Sequence, residues 1–427
     1  MMMKTPLNQY CKGGLGGWFA TLPIIFFSLL ATCFSTVTAA LPYTPSSLDE
    51  VLVRLPDSMV ALRLATPTKS SDELLDPSEN KRITNPLSQQ LKKAQKFLKL
   101  AQQDNDPSWY GYAHAALAPW WNNNIELPQL ALLKAIILQQ RHEFPEALLE
   151  INKVLLLQPR NVQARLIRAQ VNMMQVQYGL AAKDCQEILW LENPVMGINC
   201  LAQVEGLTGK GQKAMEKLTD SINSSLDLNE ILLVELHISL ATIAHRYNDS
   251  ALALSHYQQA YAIRPNNNYL LEQYSDFLME NRRENLLLAL FSNSSMSIDL
   301  KIKRVQLLQN MEEIVPSNLI VELTDFFENA KTRKNLFPHK EYAKWLLLTT
   351  QDYDQALNAA MDNWAMQKAP GDALLVLQAA LASQQLQRAG PVMSWLKDTG
   401  LYDYRIEATL MSFGVSHLDI LVSKGLL

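Results

Sequence analysis

Seven histidines offer the first place to look for metal or acid/base chemistry, and no two stand four apart, the spacing that puts two ligands on one helix face. His142-Glu143 begins like a helix-borne zinc-protease motif but lacks the second histidine, and reads as an exposed turn. His237, His245 and His256 share one stretch with Glu235 and Asp249; a metal or proton-transfer cluster would need several of them to converge, and ordinary helix-face positions account for them more simply. Gly206-Leu207-Thr208-Gly209-Lys210-Gly211 resembles part of a phosphate-binding loop, yet it follows an expected helix and lacks the Lys-Ser/Thr pair. It reads as an inter-helix turn. No serine-nucleophile motif occurs, and Cys185 and Cys200 carry no local signature of a catalytic cysteine. The expectation is a protein that is not an enzyme, with no catalytic residue, no metal site and no cofactor.

The elements that carry these residues follow a repeat. Ala147 with Pro159, Ala182 with Pro194, Ala214, and Ala253 with Pro265 recur at alanine-to-alanine intervals of 35, 32 and 39 residues. A period of about 34 marks stacked helical hairpins. From Pro128 to Pro159, Leu132, Ala135, Ile136 and Leu138 lie at helical spacing, Arg141-His142-Glu143-Phe144 breaks the run, and Ala147, Leu148, Ile151 and Val154 resume it. Ala135 and Ala147 fall where two helices cross closely, and a larger residue there would overpack the crossing by roughly 1–3 kcal/mol. Pro159 is expected to stop the second helix.

Val162 to Pro194 repeats the scheme with Ala169 and Ala182, Val195 to Leu226 with Ala202 and Ala214, and Val234 to Pro265 with Ala241, Ala244 and Ala260. Asn268 to Leu290 is a degenerate unit with Ser275 where alanine is expected, and Lys301 to Asn335 is helical in pattern without landmarks. The signal returns around Ala356 and Ala360, then around Ala380 and Ala389, while Leu87 to Trp121 supplies an N-terminal hairpin with Ala94 and Ala113. The fold class is all-α, an α-solenoid of antiparallel helix hairpins. Its expected divisions are 1–40 signal peptide or anchor, 41–86 short helix and polar linker, 87–127 capping hairpin, 128–267 core array of four repeats, 268–340 degenerate repeats, and 341–427 C-terminal repeats and cap.

The central units resemble tetratricopeptide repeats: the small/large/small helix pattern and closing proline are met, though the family's tryptophan in the first helix is missing. Asp106-Pro107-Ser108-Trp109-Tyr110-Gly111-Tyr112-Ala113-His114-Ala115-Ala116-Leu117-Ala118-Pro119-Trp120-Trp121, and Asn363-Trp364 through Gln367, Pro370, Asp372 and Ala373, are similar to segments of exported, functionally uncharacterised tetratricopeptide proteins of Gram-negative bacteria. That resemblance implies export and a superhelix whose first helices line an inner groove. It names no activity. The groove positions it implies are Gln129, Ile136, Gln139, Gln140, Gln163, Gln170, Met174, Asn199, Gln203, Glu235, Thr242, His245 and Arg246. An amide-rich set suits hydrogen bonds to an extended peptide backbone, and the lysine/arginine clamp with which such repeats grip acidic C-termini is not found.

Lys4 and Lys12 precede an uncharged, largely apolar run ending in Thr36-Val37-Thr38-Ala39-Ala40, the pattern of a secretory signal cleaved after Ala39 or Ala40. An uncleaved membrane anchor is the alternative; Leu30-Ala31-Thr32-Cys33 is close to a lipoprotein box but departs from it at the threonine. Cleavage removes Cys11 and Cys33 and leaves Cys185 and Cys200 on neighbouring helices, where a disulfide and two separate buried thiols are both open. Leu48 to Leu55 is a short helix candidate, and Thr66 to Pro86 reads as a polar linker or overlying loop. With 38 basic against 42 acidic residues the chain shows no nucleic-acid footprint.

The function these features predict is a protein-protein interaction scaffold of the cell envelope, periplasmic or surface-facing, holding a protein or peptide in the concave groove, with membrane association through the N-terminal segment as a variant. The alternative is an enzyme or carbohydrate-binding protein seated in Lys301 to Asn335 or in the aromatic hairpin of Trp109, Tyr110, Tyr112, Trp120 and Trp121, which otherwise caps the stack.

Overall fold

His142, Val176, Gly209, Asn248, Arg282, Glu312 and Gln384 share a positive φ between 52° and 74°, and each is the second residue of the turn joining the two helices of a hairpin. The next N–H reaches back five residues: Glu143 to the Leu138 carbonyl (2.9 Å), Gln177 to Asn172 (2.7 Å), Asp249 to Ala244 (2.9 Å) and Arg283 to Leu278 (2.8 Å). This closure satisfies carbonyls orphaned at a helix C-terminus. Only one of the seven is glycine, so the others each bear roughly 1–2 kcal/mol of backbone cost. Val176, β-branched and the least suited, packs against the C-terminal core.

The protein is described by a computed structural model over residues 86–104, 108–123, 125–191, 194–224, 228–293, 296–332, 337–350 and 352–415. The expected signal segment, the candidate helix Leu48 to Leu55 and the polar stretch before Pro86 lie outside these residues. Among the described residues there are nineteen α-helices and no strand. α1 (Pro86–Asp104) and α2 (Ser108–Leu117) form the first hairpin, followed by a 3-10 turn at Ala118–Trp120. Then come α3 (Pro128–Gln140) with α4 (Phe144–Leu157), α5 (Val162–Met174) with α6 (Tyr178–Leu189), α7 (Pro194–Leu207) with α8 (Gly211–Ser224), and α9 (Glu230–Arg246) with α10 (Ser250–Ile263). The segments that looked degenerate are hairpins too: α11 (Asn268–Glu280) with α12 (Glu284–Asn293), and α13 (Ile298–Asn310) with α14 (Ser317–Lys331). α15 (His339–Thr349), α16 (Tyr353–Met366), α17 (Pro370–Ala382), α18 (Gly390–Thr399) and α19 (Tyr404–Met411) complete the stack. The fold is an all-α solenoid of antiparallel helix hairpins.

Asparagine and aspartate N-caps start several helices: Asn161, Asn229, Asp249 and Asn267 each accept the N–H three residues on, at 2.9–3.0 Å, a contribution of about 1 kcal/mol apiece. The fully buried alanines Ala147, Ala181, Ala214, Ala253 and Ala356 all occupy the fourth position of a second helix. The landmark in α6 is therefore Ala181, not Ala182, which is only half-buried. The shift arises because Pro194 opens α7 instead of closing α6, a first-turn position where a missing N–H costs nothing. Ser275, fully buried, is small enough to replace the expected alanine in α11.

The C-terminal hairpins do not simply continue the stack. They lie across the turns of the central units, in order along the chain. Gln175 Nε2 donates to the Met366 carbonyl (2.8 Å) and the Lys368 N–H to the Met174 carbonyl (3.0 Å). Trp395 Nε1 donates to Tyr178 OH (3.0 Å), the Tyr402 ring lies 5.1 Å from Tyr247, and Tyr404 OH donates to Glu280 Oε2 (3.0 Å). The open, free inner wall expected from the repeat alone is thus crossed at one end of α5, α9 and α11 by the chain's own C-terminal segment.

Candidate functional site

Between the first hairpin and the middle of the stack lies a chamber of about 1360 Å³. Lys99 and Tyr110 reach it from α1 and α2, Gln140 from α3, Ile231 and Glu235 from the start of α9, Arg264 to Asn267 from the turn before α11, and Asn268 and Tyr269 from its first turn. Glu272, Asp299, Phe326 and Glu341 complete the wall from α11, α13, α14 and α15. Both regions proposed as alternative seats, the aromatic hairpin and the segment around Lys301 to Asn335, contribute a side chain, Tyr110 and Phe326.

Beneath this wall three lysines meet three aspartates. Lys303 Nζ lies 2.7 Å from both Asp276 and Asp299, and donates to the Glu272 carbonyl (2.8 Å) and Ser275 Oγ (3.1 Å). Lys344 pairs with Asp299, and Lys340 stands 4.0 Å from Asp372. Burial opposes the charge on Asp299, but Lys303 and Lys344 outweigh it and hold this carboxyl well below the usual range. The same balance raises Lys303, where burial is overcome by Asp276 and Asp299. Lys303 on α13 meets Lys340 and Lys344 on α15 only in the fold, so the sequence shows no cationic cluster; paired with aspartates, these lysines are not a clamp for an acidic peptide.

Glu272 behaves differently. Ser297 Oγ donates to its Oε1 (3.3 Å), the carboxyl forms no ion pair among the described residues, and burial together with Asp299, against the pull of Lys340 and Lys303, pushes its pKa up to about 7. Glu235 is also raised by burial, against the pull of Arg264. Burial therefore disfavours the charged form of both carboxyls.

Of the groove residues expected from the repeat, only Gln140 and Glu235 line this chamber. Gln129 and Gln163 are exposed, and Gln139 donates to exposed Gln170 (3.4 Å). Gln203 is tied to Ser239 (3.3 Å) and Thr242 to the Ile238 carbonyl (2.6 Å). Asn199, His245 and Arg246 are buried, so they present nothing to an open groove. His245 Nε2 sits 2.7 Å from Glu280, Arg246 donates to the Gly206 carbonyl (3.2 Å), and Met174 engages Lys368, because the C-terminal segment packs where these helices end. The one wall signal the sequence did offer was Asn266-Asn267-Asn268, three amides in a row at an inter-unit turn.

Cys185 on α6 and Cys200 on α7 are joined in a disulfide with Cα atoms 5.3 Å apart. His237 and His256 place their Nδ1 atoms 2.7 Å apart, and burial, reinforced by His256, lowers His237 to about 4. Among the described residues no group of three or more His, Cys, Asp or Glu could hold a metal ion. Phe97, Trp109 and Tyr112 pack ring against ring at 5.4–5.7 Å in the first hairpin. No described helix is long and apolar enough to cross a membrane.

No protein-family model matches the chain, and no curated protein matches it. Similar solved structures include a tetratricopeptide repeat protein from Parabacteroides merdae, 12% identical with a TM-score of 0.34, covering 69% of this chain and 98% of that one. The P58(IPK) TPR domain is 13% identical with a TM-score of 0.21 and covers 80% and 99%. Yeast Tom70 is 12% identical with a TM-score of 0.22 and covers 80% and 96%. The fold assignment rests on the helix order and turn geometry above.

Proposed function

We propose that this protein is a non-catalytic scaffold of the cell envelope that holds an extended segment of a protein partner in the chamber between its first hairpin and α9–α15. The observation that carries the reading is the chamber itself. At about 1360 Å³ it exceeds the roughly 300–1,000 Å³ of small-molecule sites, and its wall is assembled from amides, carboxyls and aromatic rings on at least six helices. Amides such as Gln140 and Asn268 suit a peptide backbone, which offers a donor and an acceptor at every residue.

Export is supported by the N-terminal signal pattern and by the Cys185–Cys200 bond, since structural disulfides persist in oxidising compartments. N-terminal sequencing of the mature protein should begin at Ala40 or Leu41; a start at Met1 would make the segment an uncleaved tether instead. A glycan-binding reading is favoured by Tyr110, Tyr269 and Phe326 sharing a wall with Asn266 to Asn268.

The function is tested by placing a photo-crosslinking amino acid at Gln140 or Ile231, in the chamber, and at Leu156, exposed on α4. Irradiation in envelope extracts should give discrete protein adducts from the first two positions only. Equal adducts from all three, or adducts from Leu156 alone, would remove the chamber as the binding site.

A further inference from the structure

The polar groups facing the chamber are unevenly satisfied. Glu235, Glu272 and Glu341 are half-buried and take part in no ion pair among the described residues. Asn268 Oδ1 is shielded from solvent and accepts no hydrogen bond. Asp299, by contrast, is committed to Lys303 and Lys344. The two cations lining the chamber, Lys99 and Arg264, are exposed and form no ion pair among the described residues, and the half-buried Lys340 behind the wall is drawn first to Asp372 and Asp299 and then to Glu341 and Glu272. What remains inward is a set of acceptors of which Glu272 takes one side-chain hydrogen bond, from Ser297, beside the rings of Tyr110, Tyr269 and Phe326.

Each unmet acceptor in a half-buried site costs free energy until a donor arrives, and ring faces attract cations over anions. The geometry points to a cationic occupant: the chamber takes a lysine- or arginine-bearing stretch of extended polypeptide, its ammonium or guanidinium groups set against Glu235, Glu272 and Glu341. This rests on the reading that the chamber holds a partner segment, and adds the chemistry of that segment. An acidic segment would instead meet three carboxyls, while Lys340 behind them is already engaged by Asp372 and Asp299. A neutral one would leave all three unpaired. Glu272, raised by burial, Asp299 and Glu341 against the pull of Lys340 and Lys303, then ionises on binding, so that occupancy releases a proton near neutral pH.

The probes are three acetylated, amidated twelve-residue peptides labelled with fluorescein, alternating alanine with lysine, with glutamine or with glutamate. Each is titrated by anisotropy against the full mature chain in about 150 mM salt, where diffuse surface charge is screened. The lysine peptide should bind most tightly and lose on the order of tenfold in affinity to the Glu235→Gln/Glu272→Gln/Glu341→Gln variant. A charge-matched control, Glu146→Gln/Glu216→Gln/Glu313→Gln, alters exposed glutamates outside the chamber and should leave affinity unchanged. Equal losses in both triple variants, or preference for the glutamate peptide, would overturn the proposal.

A photo-crosslinker at Gln140 separates this inference from the reading beneath it. If the glutamine peptide crosslinks there as well as the lysine peptide and the chamber variant changes nothing, the cationic occupant is wrong while the chamber still holds a peptide. If no peptide crosslinks at Gln140, both fall. Glu272→Gln alone, neutral and isosteric, keeps the test open should the triple variant fail to fold; it should weaken lysine-peptide binding at pH 8 more than at pH 6, and an equal effect at both would count against the carboxyl's part.

Discussion

Reducing the bond between Cys185 and Cys200 gives the most direct test of the structure. The two residues are 15 apart in sequence, and in the chain-entropy account a loop of that size restrains the unfolded chain by about 3 kcal/mol at 25 °C. The bond ties α6 to α7, the second helix of one hairpin to the first of the next, within a cluster that includes Ala169, Met173, Ala181, Ile188 and Val204. Its loss therefore loosens an interface between repeats and leaves each hairpin's own crossing intact. For a protein of this size, about 2 °C of midpoint per kcal/mol makes the expected fall in thermal midpoint roughly 6 °C. The assay is far-UV circular dichroism melting of the mature chain, oxidised and after unfolding and refolding with a phosphine reductant. Cys185→Ala/Cys200→Ala should melt lower than the oxidised protein and be insensitive to the reductant. Thiol titration of the denatured, unreduced protein should find none. Coincident melting curves with and without reductant, or two titratable thiols, would refute both the pairing and the magnitude drawn from it.

Gly209→Ala should destabilise by roughly 2–3 kcal/mol, since the residue has φ +74° and a Cβ there would stand 2.7 Å from the Gly400 carbonyl of the C-terminal segment. Gly371→Ala, in a helix and with open space around it, should instead stabilise by about 0.5–1 kcal/mol; urea titration of both reads the contrast. Glu272 has its folded pKa raised from 4.5 to about 7, so its contribution is full below pH 4.5 and is lost as pH rises towards 7. Glu272→Gln should accordingly flatten the fall in melting temperature between pH 5 and pH 7, and an unchanged slope would contradict the assignment. His237 is lowered from 6.5 to about 4, so its stabilisation is present above pH 6.5 and drains away as pH falls towards 4; His237→Gln should make melting less acid-sensitive in that window.

The stack was legible because small residues must recur wherever helices cross, and Ala135, Ala147, Ala214 and Ala253 did so at visible intervals. The landmark at Ala182 is off by one because proline not only stops a helix but also suits its first turn, as Pro194 shows. The turns gave little away, since six of the seven left-handed positions carry ordinary side chains where glycine would have announced them. The C-terminal closure left no local trace at all: Trp395 meets Tyr178 across 217 residues, and Gln175 meets Met366 across 191. Two sequence-predicted residues, Gln140 and Glu235, lie in the chamber, while its remaining walls come from inter-unit turns and from helices whose repeat signal is weak.

Glu280 gathers His245, Tyr404 and Arg405 at one carboxylate, which ties the end of α11 to α9 and to the last helix. A linear array whose members touch only their neighbours can fray from either end and nucleate anywhere along its length. Fastening the tail to the middle removes that freedom. Hydrogen exchange in α5 to α11 should then slow in step with exchange in α16 to α19, as one opening event, and assembly should wait on contacts between distant parts of the sequence, making it slower than helix content alone suggests.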